Sequence, residues 1–340
     1  MTSVASLIRI GVVTILALTS ACSSTSKRSG PPDWVNGVSS RYAHSLYLVG
    51  RGEAGVMDDA KDRARADLAK SIEVTVAEQT RDVQTYTRES KDGKVQEATQ
   101  LDVSRAVQTR TDKVVRGIEI GDIWQDDKTK RFYALAVLNR HQAGSALRQH
   151  IDQLDGETQS LTQKAQQESA PLRKVAYAKA ALEAQLTREG LQRTLQVIDT
   201  TGQGVEGKYN LGRMRADLRD IAGRVRIETK ATGNLVEKIA PLVKGATGEA
   251  GFLVDATPAD YILTAELQLD EPGLREGWYW TKGSLNITLV DASGHSVGAK
   301  RWEIKASAQT QDMAQRRALD QLHDIMVRQL RETVIGFAGT

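Results

Sequence analysis

Residues 46–72 read LYLVGRGEAGVMDDAKDRARADLAKSI, and this stretch decides the fold of the N-terminal part of the chain. It predicts a strand over Leu46–Val49, then a glycine-rich turn, then a helix that begins at Met57. Four apolar residues follow one another at four-residue intervals, the spacing of one helix face: Ala60, Ala64, Leu68 and Ile72. Beyond them, Val74 and Val76 alternate with polar residues, so we expect a strand to take over near Ile72.

The three glycines of this stretch, Gly50, Gly52 and Gly55, match the G-x-G-x-x-G fingerprint of dinucleotide-binding proteins. That fingerprint also needs an acidic residue at the end of a second strand, and the polar segment after the helix has no such terminus. We therefore interpret the glycines as a tight strand-to-helix turn in which they adopt positive φ. The sequence predicts no bound cofactor here.

Downstream of the helix, the pattern predicts the rest of an α+β domain. A turn is expected at Lys91–Lys94 and a helix over Leu101–Val115. Two strands follow, Ile118–Trp124 and Arg131–Leu138, and the second is apolar on both faces, so it should be central in its sheet. A helix from Gln142 is expected to close the domain near Ile151.

The remaining sequence predicts a helical middle and a second α+β domain. Pro171 suits the first position of a new helix. The C-terminal part reads as a strand at Val225–Thr229, a helix at Leu235–Ala246, three strands (Tyr261–Leu269, Leu285–Val290 and Arg301–Ser307) and a helix at Met313–Phe337. The prediction is α+β: two small α/β sandwich domains, each an antiparallel sheet with helices on one face, joined by a helical hairpin.

The N-terminus has the layout of a secretory signal peptide. Arg9 precedes the apolar run Ile10–Leu18, small residues follow, and the next residue is Cys22, the one cysteine of the chain. This arrangement resembles a bacterial lipobox, in which a diacylglycerol is attached to the thiol and the peptide is cut before it. Several acyl chains, such as palmitate, would anchor the protein stably. A plain cleaved signal peptide is the alternative.

These features give the predicted organisation of the chain. Residues 1–21 are the signal peptide, 22–30 a lipidated flexible tether, 31–151 the first α+β domain, 152–222 the helical hairpin and 223–340 the C-terminal α+β domain. Ser23 follows Cys22 where aspartate would favour retention at the inner membrane. The predicted location is therefore the periplasmic face of the outer membrane.

Composition narrows the classes of function. Lys and Arg number 46 against 43 Asp and Glu, a balance without the basic footprint of nucleic-acid binding. One cysteine permits no internal disulfide, and the five scattered histidines predict no metal site. No nucleophile with a nearby base can be recognised, so we expect a protein that is not an enzyme.

Two pairs of aspartates and one group of aromatic residues are the remaining candidate functional residues. Asp58-Asp59 suits the first turn of a helix, and Asp126-Asp127 suits a hairpin turn. Trp278, Tyr279 and Trp280 form an aromatic cluster that would serve as a partner contact if exposed. Burial of both tryptophans under the C-terminal helix is the more ordinary arrangement, because tryptophan is highly buried on average.

The N-terminal domain resembles the Lpp-twenty lipoprotein family. The resemblance rests on Pro32-Asp33-Trp34-Val35, on Tyr47-Leu48-Val49-Gly50-x-Gly52 and on the alanine-spaced helix that follows. The C-terminal domain resembles, in architecture alone, small domains of periplasmic assembly lipoproteins. The resemblance implies a non-catalytic envelope protein, with relatives in flagellar outer-membrane rings.

From all of this we expect a lipid-anchored scaffold or assembly factor. It would bind envelope proteins, of a flagellar ring or of the cell-wall machinery, or further copies of itself. Two alternatives stay open: a regulator of a peptidoglycan synthase, and a periplasmic binding protein or hydrolase whose site the sequence does not reveal.

Overall fold

The computed structural model describes residues 30–87 and 117–339. It has an α+β fold, as predicted, with two separate sheets and a helical pair between them in sequence. The predicted signal peptide, Cys22, the turn at Lys91–Lys94 and the helix at Leu101–Val115 lie outside the described residues.

The first sheet has three antiparallel strands in the order β1-β3-β2. They are β1 (Tyr47–Ala54), β2 (Glu119–Gln125) and β3 (Phe132–Asn139). The prediction that the last of these is central is confirmed. Its alternate residues face two apolar layers, which is why the strand is apolar throughout.

A long helix, α2 (Met57–Thr87), packs on one face of this sheet. The strand predicted from Ile72 is wrong, because the helix continues through that point. Ile72 and Val76 extend the four-residue stripe of buried residues, whereas Val74 is 45% exposed on the other side. The three apolar residues Ile72, Val74 and Val76 resemble strand alternation in sequence, but Ile72 and Val76 lie on the buried face of the helix and Val74 lies on the exposed one.

The glycines of the G-x-G-x-x-G motif have a different role from the predicted one. Gly50 and Gly52 lie inside β1, and neither has a positive φ. A Cβ at Gly50 would lie 2.5 Å from the Ala64 carbonyl oxygen and the Leu68 nitrogen, and a Cβ at Gly52 would lie closer still to the Ala60 oxygen. The glycines therefore let the backbone of α2 pack directly against the strand.

The opposite face of the sheet is covered by the segment that precedes it. A short helix, α1 (Asp33–Asn36), buries Trp34 against Leu135 and Val137. The Trp34 indole Nε1 donates to Asp122 Oδ2 at 2.8 Å. The Pro-Asp-Trp sequence thus closes the second face of the domain.

The middle of the chain is an antiparallel pair of long helices, α3 (Arg140–Gln167) and α4 (Pro171–Ile198), followed by α5 (Leu211–Ala222). Pro171 is the first residue of its helix, as predicted. The helix from Gln142 does not end near Ile151 but runs unbroken to Gln167. Leu147, Ile151 and Leu195 pack into the core of the first domain, so this pair is continuous with it.

A buried polar network fixes the register of the two long helices. The Arg188 Nε donates to Asp155 Oδ1 at 3.2 Å, and both side chains are almost fully buried. Gln185 Nε2 donates to the same oxygen and to Thr158 Oγ1. Arg188 also donates to the carbonyl groups of Val205 and Glu206, so it ties the following loop to the pair.

The second sheet has five strands in the order β5-β4-β6-β7-β8. They are β4 (Arg226–Gly233), β5 (Leu253–Val254), β6 (Tyr261–Arg275), β7 (Trp278–Asp291) and β8 (Ser296–Ala308). Helices α6 (Val236–Glu249) and α7 (Gln311–Phe337) cover one face together with the start of α4. The hairpin turn predicted at Asp291–Gly294 is confirmed.

This sheet is mixed, which differs from the predicted antiparallel sheet. β4 pairs in parallel with both β5 and β6, and the later strands pair in antiparallel fashion. The reason is that α6 lies between β4 and β6 in sequence, and a helical crossover returns the chain in the same direction. The strands are also longer than predicted, because polar residues continue the pairing beyond the apolar core.

Candidate interaction sites

The tip of the β6–β7 hairpin and the outer edge of β4 are two uncovered parts of the C-terminal sheet and are the candidate interaction sites. The first contains the aromatic cluster predicted from the sequence. The second was not predicted. The other predicted site residue, Cys22, is outside the described residues, and its lipidation stays a prediction.

The β6–β7 hairpin ends in a two-residue turn. Glu276 and Gly277 have φ values of 53° and 79°, the left-handed pair that matches the twist of a two-residue hairpin. Around the turn, Arg275 pairs with Trp278 and Leu274 pairs with Tyr279. The Glu271-Pro272-Gly273 segment lies beyond the predicted end of this strand at Leu269 but is part of β6, with an irregularity in the pairing between Asp270 and Gly273.

The tryptophans of the cluster are not buried under the C-terminal helix, so the arrangement favoured from the sequence is wrong. Trp278 is 43% exposed and Leu274 is 60% exposed. Trp280 is partly covered by two ammonium groups, with Lys282 Nζ 5.5 Å and Lys305 Nζ 5.1 Å from its ring centroid. The physical reason is that alternation along β7 places Trp278 and Trp280 on the face opposite the helices, with Lys282, while the buried Thr281 faces α7.

The outer edge of β4 is unpaired along much of its length. The carbonyl groups of Val225 and Ile227 accept from Leu253 and Asp255 on the β5 side. β5 then ends, and the next amide on that edge, that of Thr229, donates to the Asp255 carboxylate at 3.0 Å. Backbone groups of alternate residues point to the same edge. The amide and carbonyl groups of Ala231 therefore face this side, where no strand of the described chain pairs with them.

A cavity of about 350 Å³ lies beside this edge, between β4 and α6. Its floor is small and apolar, formed by Ala231, Ala240, Pro241 and Val243. Lys244 stands at its rim and pairs with Asp255 at 2.9 Å. The hydrogen bond from Lys244 holds the pKa of the Asp255 carboxyl below its ordinary value, so the carboxylate stays ionised and keeps its place on the Thr229 amide.

The β4 edge was not predicted, because it exists only where β4 continues beyond the end of the shorter strand β5. The predicted strand ended at Thr229, whereas β4 continues to Gly233, and the two-residue β5 is too short to show a pattern of its own. A positive signal could have come from Lys230 and Thr232, since polar outward residues in a strand next to small inward ones are typical of a sheet edge.

The aspartate pairs have the structural roles that were predicted. Asp58 lies in the first turn of α2 and pairs with Lys61 at 2.9 Å. Asp126 accepts from the Lys128 amide and the Thr129 hydroxyl in the β2–β3 turn, and the first of these bonds lowers its pKa most. Within residues 30–87 and 117–339, no group of three or more His, Cys, Asp or Glu side chains is placed to hold a metal ion. None of the described helices is both long and apolar enough to span a bilayer.

Comparison with known solved structures gives similarities of low identity. A secreted protein of Helicobacter pylori is 14% identical, with a TM-score of 0.45, over 83% of this chain and 97% of the other. A minor lipoprotein of Acinetobacter baumannii is 13% identical, with a TM-score of 0.29, over 32% of this chain and 91% of the other. The rare lipoprotein B of Shewanella oneidensis is 10% identical, with a TM-score of 0.21, over 32% and 90% of the respective chains. Curated proteins give no match.

Comparison with family models gives one assignment for the first domain. Residues 32–139 match the LPP20 lipoprotein family. The matched range begins at the Pro-Asp-Trp segment, includes the glycine-packed helix α2 and ends with β3. The expected resemblance to the Lpp-twenty family is thereby confirmed for this domain, which is about a third of the chain.

Proposed function

We propose that this protein is a lipid-anchored, non-catalytic scaffold or assembly factor of the bacterial envelope, and that it binds an extended segment of a partner protein along the outer edge of β4. The observation that carries the proposal is the unpaired edge at Ala231 with the small apolar cavity beside it. The predicted anchor at Cys22 and the lipoprotein family match of residues 32–139 support the envelope setting.

Strand addition is the binding mode that this geometry favours. An extended peptide that continues the line of β5 would exchange backbone hydrogen bonds with Ala231 and its neighbours on that edge. Every second side chain of that peptide would point toward α6. The cavity there has an alanine floor, so it has room for one apolar side chain of the added strand.

The charges around the cavity are already paired. Lys244 at the rim pairs with Asp255 at 2.9 Å, and Lys230 pairs with Glu228 at 3.2 Å. The rim is therefore close to neutral, and the apolar floor of the cavity, not a charge, would select the side chain of the added strand.

The test is in-cell crosslinking of the tagged protein, with mass spectrometry of the proteins that co-purify. Three variants accompany the wild type: Ala231→Pro, Thr232→Ala and Cys22→Ala. Proline at position 231 removes an amide that faces the open side, which an edge strand tolerates, and it blocks strand addition. Thr232→Ala changes an exposed side chain at the next position and leaves the backbone edge intact.

We expect a reproducible envelope partner with the wild type and with Thr232→Ala, and its loss with Ala231→Pro. Cys22→Ala should weaken the crosslink, because an unanchored protein is diluted away from the membrane. A partner that crosslinks equally well to Ala231→Pro would contradict strand addition at β4. A purified protein that turns over a cell-wall substrate, and loses the activity on a point mutation, would contradict the non-catalytic role.

The identity of the captured protein separates the processes that the sequence left open. A flagellar ring component would indicate assembly of that ring, and a peptidoglycan synthase would indicate regulation of cell-wall synthesis. A ladder of self-crosslinked species would indicate that a second copy of this chain provides the added strand.

A further inference from the structure

We infer that the tip of the β6–β7 hairpin inserts shallowly into the surface of an anionic membrane. This contact is separate from the β4 edge and from the predicted lipid anchor. It involves the residues around the turn, defined here as the hairpin tip: Gly273–Arg275 and the four residues from Glu276 to Tyr279.

The hairpin tip extends beyond the strands on both sides of it. On one side, β4 ends where Gly233 meets Leu267. On the other side, β8 ends where Ala308 meets Tyr279. Past β8, the Arg275–Trp278 pair and the Glu276-Gly277 turn project, and this short end of the hairpin can enter a surface without a clash from the neighbouring strands.

The hairpin tip has an apolar side chain on each of its faces, with Arg275 beside Trp278 on one of them. Side chains that are directly opposite in a sheet share a face, so Leu274 lies with Tyr279 on the side of the sheet that carries the helices. Trp278 and Trp280 lie on the opposite side, because alternate residues of a strand share a face. A partner protein that docks on one face would leave the other face in water. A lipid surface surrounds the projection and covers Leu274 and Trp278 together.

The charges along the hairpin match a membrane with anionic headgroups. Arg275 lies at the tip, and Lys282 and Lys305 lie opposite each other farther back, on the face of the tryptophans. Cations at this level attract lipid phosphates, and tryptophan is the residue typical of the membrane–water interface. The acidic residues of this stretch are Glu276 in the turn, Asp270 opposite Lys282, and Glu271. The carboxylate in the turn limits insertion to the depth of the headgroups, since an ionised group is costly in the hydrocarbon.

Such a contact would add a second attachment to the expected acyl anchor. One weak interfacial contact becomes effective when another anchor already holds the protein at the membrane, because the second binding step is then intramolecular. The tip would fix the orientation of the C-terminal domain and thereby the direction in which the β4 edge faces.

The test is flotation of residues 23–340 with lipid vesicles. This chain contains every described residue and lacks the predicted acylated cysteine. The vesicles are made either of phosphatidylcholine alone or of phosphatidylcholine with phosphatidylglycerol. The variants are Leu274→Ser, Trp278→Ser and the pair Lys282→Gln with Lys305→Gln. Leu46→Ser is the matched control, because Leu46 is also 60% exposed but lies in the N-terminal domain.

We expect binding to the phosphatidylglycerol vesicles that weakens as salt is added. Leu274→Ser and Trp278→Ser should each weaken it by roughly tenfold, the effect of withdrawing one large apolar side chain from an interface. The paired lysine variant should lose the preference for anionic lipid, and Leu46→Ser should bind as the wild type does. Brominated lipids should quench the fluorescence of the wild type more than that of Trp278→Phe, which locates the contact at the tip.

Three results would overturn the inference. The first is no binding to either kind of vesicle. The second is binding that Leu46→Ser weakens as much as Leu274→Ser does. The third is self-association of the chain, measured by sedimentation, that depends on Leu274 and Trp278, because the tip would then contact a second copy. None of these results bears on the crosslinks expected at the β4 edge, so the two proposals can fail separately.

Discussion

The three-stranded sheet is closed on both faces and capped along β1, whereas the described chain leaves the outer edge of β4, part of the outer edge of β8 and one hairpin tip of the five-stranded sheet uncovered. In the first sheet, α2 covers one face and the Trp34 segment covers the other. In the second sheet, the described helices cover one face, β5 stops after two residues and the β6–β7 hairpin projects past its neighbours. The difference is that the first sheet has its outer backbone groups capped, whereas the second leaves backbone groups and apolar side chains accessible, and our proposals place the contacts there.

The outer strands of the two sheets show the contrast at the level of single hydrogen bonds. On β1, the Arg51 amide donates to Asp67 of α2 at 2.9 Å, and the Glu53 carbonyl accepts from Arg63 of the same helix at 2.7 Å. On β2, the Gly121 carbonyl accepts from the Tyr42 hydroxyl at 3.0 Å. Side chains thus occupy backbone groups that would otherwise recruit another strand. On β4, the comparable groups of Ala231 have no such cap in the described chain.

The largest effect is expected from Gly52→Ala in the closed sheet. The new Cβ would collide with the backbone of α2, which cannot move aside as a flexible side chain would. We expect a loss of about 3 kcal/mol in the free energy of unfolding, the upper end of the usual cost of overpacking. Urea denaturation followed by circular dichroism measures it.

Gly55→Ala is the control within the same motif. A Cβ at Gly55 meets nothing within 4 Å, and its φ is not positive. We expect no more than about 0.5 kcal/mol of change. Equal destabilisation by the two substitutions would contradict the packing role assigned to Gly52 and would favour the turn predicted from the sequence.

A smaller effect is expected from Asp260→Asn, which weakens the hydrogen bonds to Arg226, the first residue of β4. Asp260 accepts from the Arg226 amide at 2.9 Å and from the Arg226 guanidinium, with Nε at 3.2 Å and Nη2 at 2.5 Å. Charge-assisted hydrogen bonds of this kind contribute about 1.5–3 kcal/mol. We expect a loss of that order for the C-terminal domain, measured as above.

The effect of Asp260 should depend on pH. The hydrogen bonds from Arg226 lower the pKa of Asp260 below the ordinary value of 3.8. A lowered folded-state pKa gives stability that is fully present above the ordinary pKa and is lost as pH falls through the folded one. The difference in stability between wild type and Asp260→Asn should therefore be constant between about pH 7 and pH 5 and shrink below about pH 4. A difference that grows toward low pH would contradict this assignment.

The smallest effect on stability is expected at the hairpin tip. Leu274 and Trp278 are exposed, so Leu274→Ser and Trp278→Ser should each change the free energy of unfolding by roughly 0.5 kcal/mol or less. Thermal unfolding of the two variants checks this. A shift of several degrees for either would mean that the tip is part of the core, and the contrast between the two sheets would be weaker than we describe.

The sequence predicted the elements that bury one continuous stripe and missed those that depend on tertiary contacts. The central position of β3 followed from its apolar faces, and the start of α2 followed from the four-residue spacing of its alanines. The end of α2 did not, because Val74 mimics alternation. The role of Gly50 and Gly52 was missed as well, since the same glycines suit a turn or a close approach of a helix, and the sequence does not show which.

The candidate sites also differ in how much of each could be predicted from the sequence. The aromatic cluster was visible as Trp278, Tyr279 and Trp280, but its exposure depends on which face of β7 the two tryptophans occupy, and the pairing with β6 and β8 sets that face. The β4 edge was invisible, because an edge is defined by the strand that is absent beside it. Cys22 needs no tertiary structure to be recognised as a lipidation site, and that prediction is tested by mass measurement of the mature protein.

The most direct test of the contrast is photo-crosslinking in cells from one position on each outer strand. A photoreactive amino acid replaces Thr232 on β4 in one strain and Arg51 on β1 in another, and both residues are exposed. Our account predicts a discrete adduct with an envelope protein from position 232, abolished by Ala231→Pro, and none from position 51. A discrete adduct from position 51, with none from position 232, would show that the closed sheet makes the contact and would contradict the account.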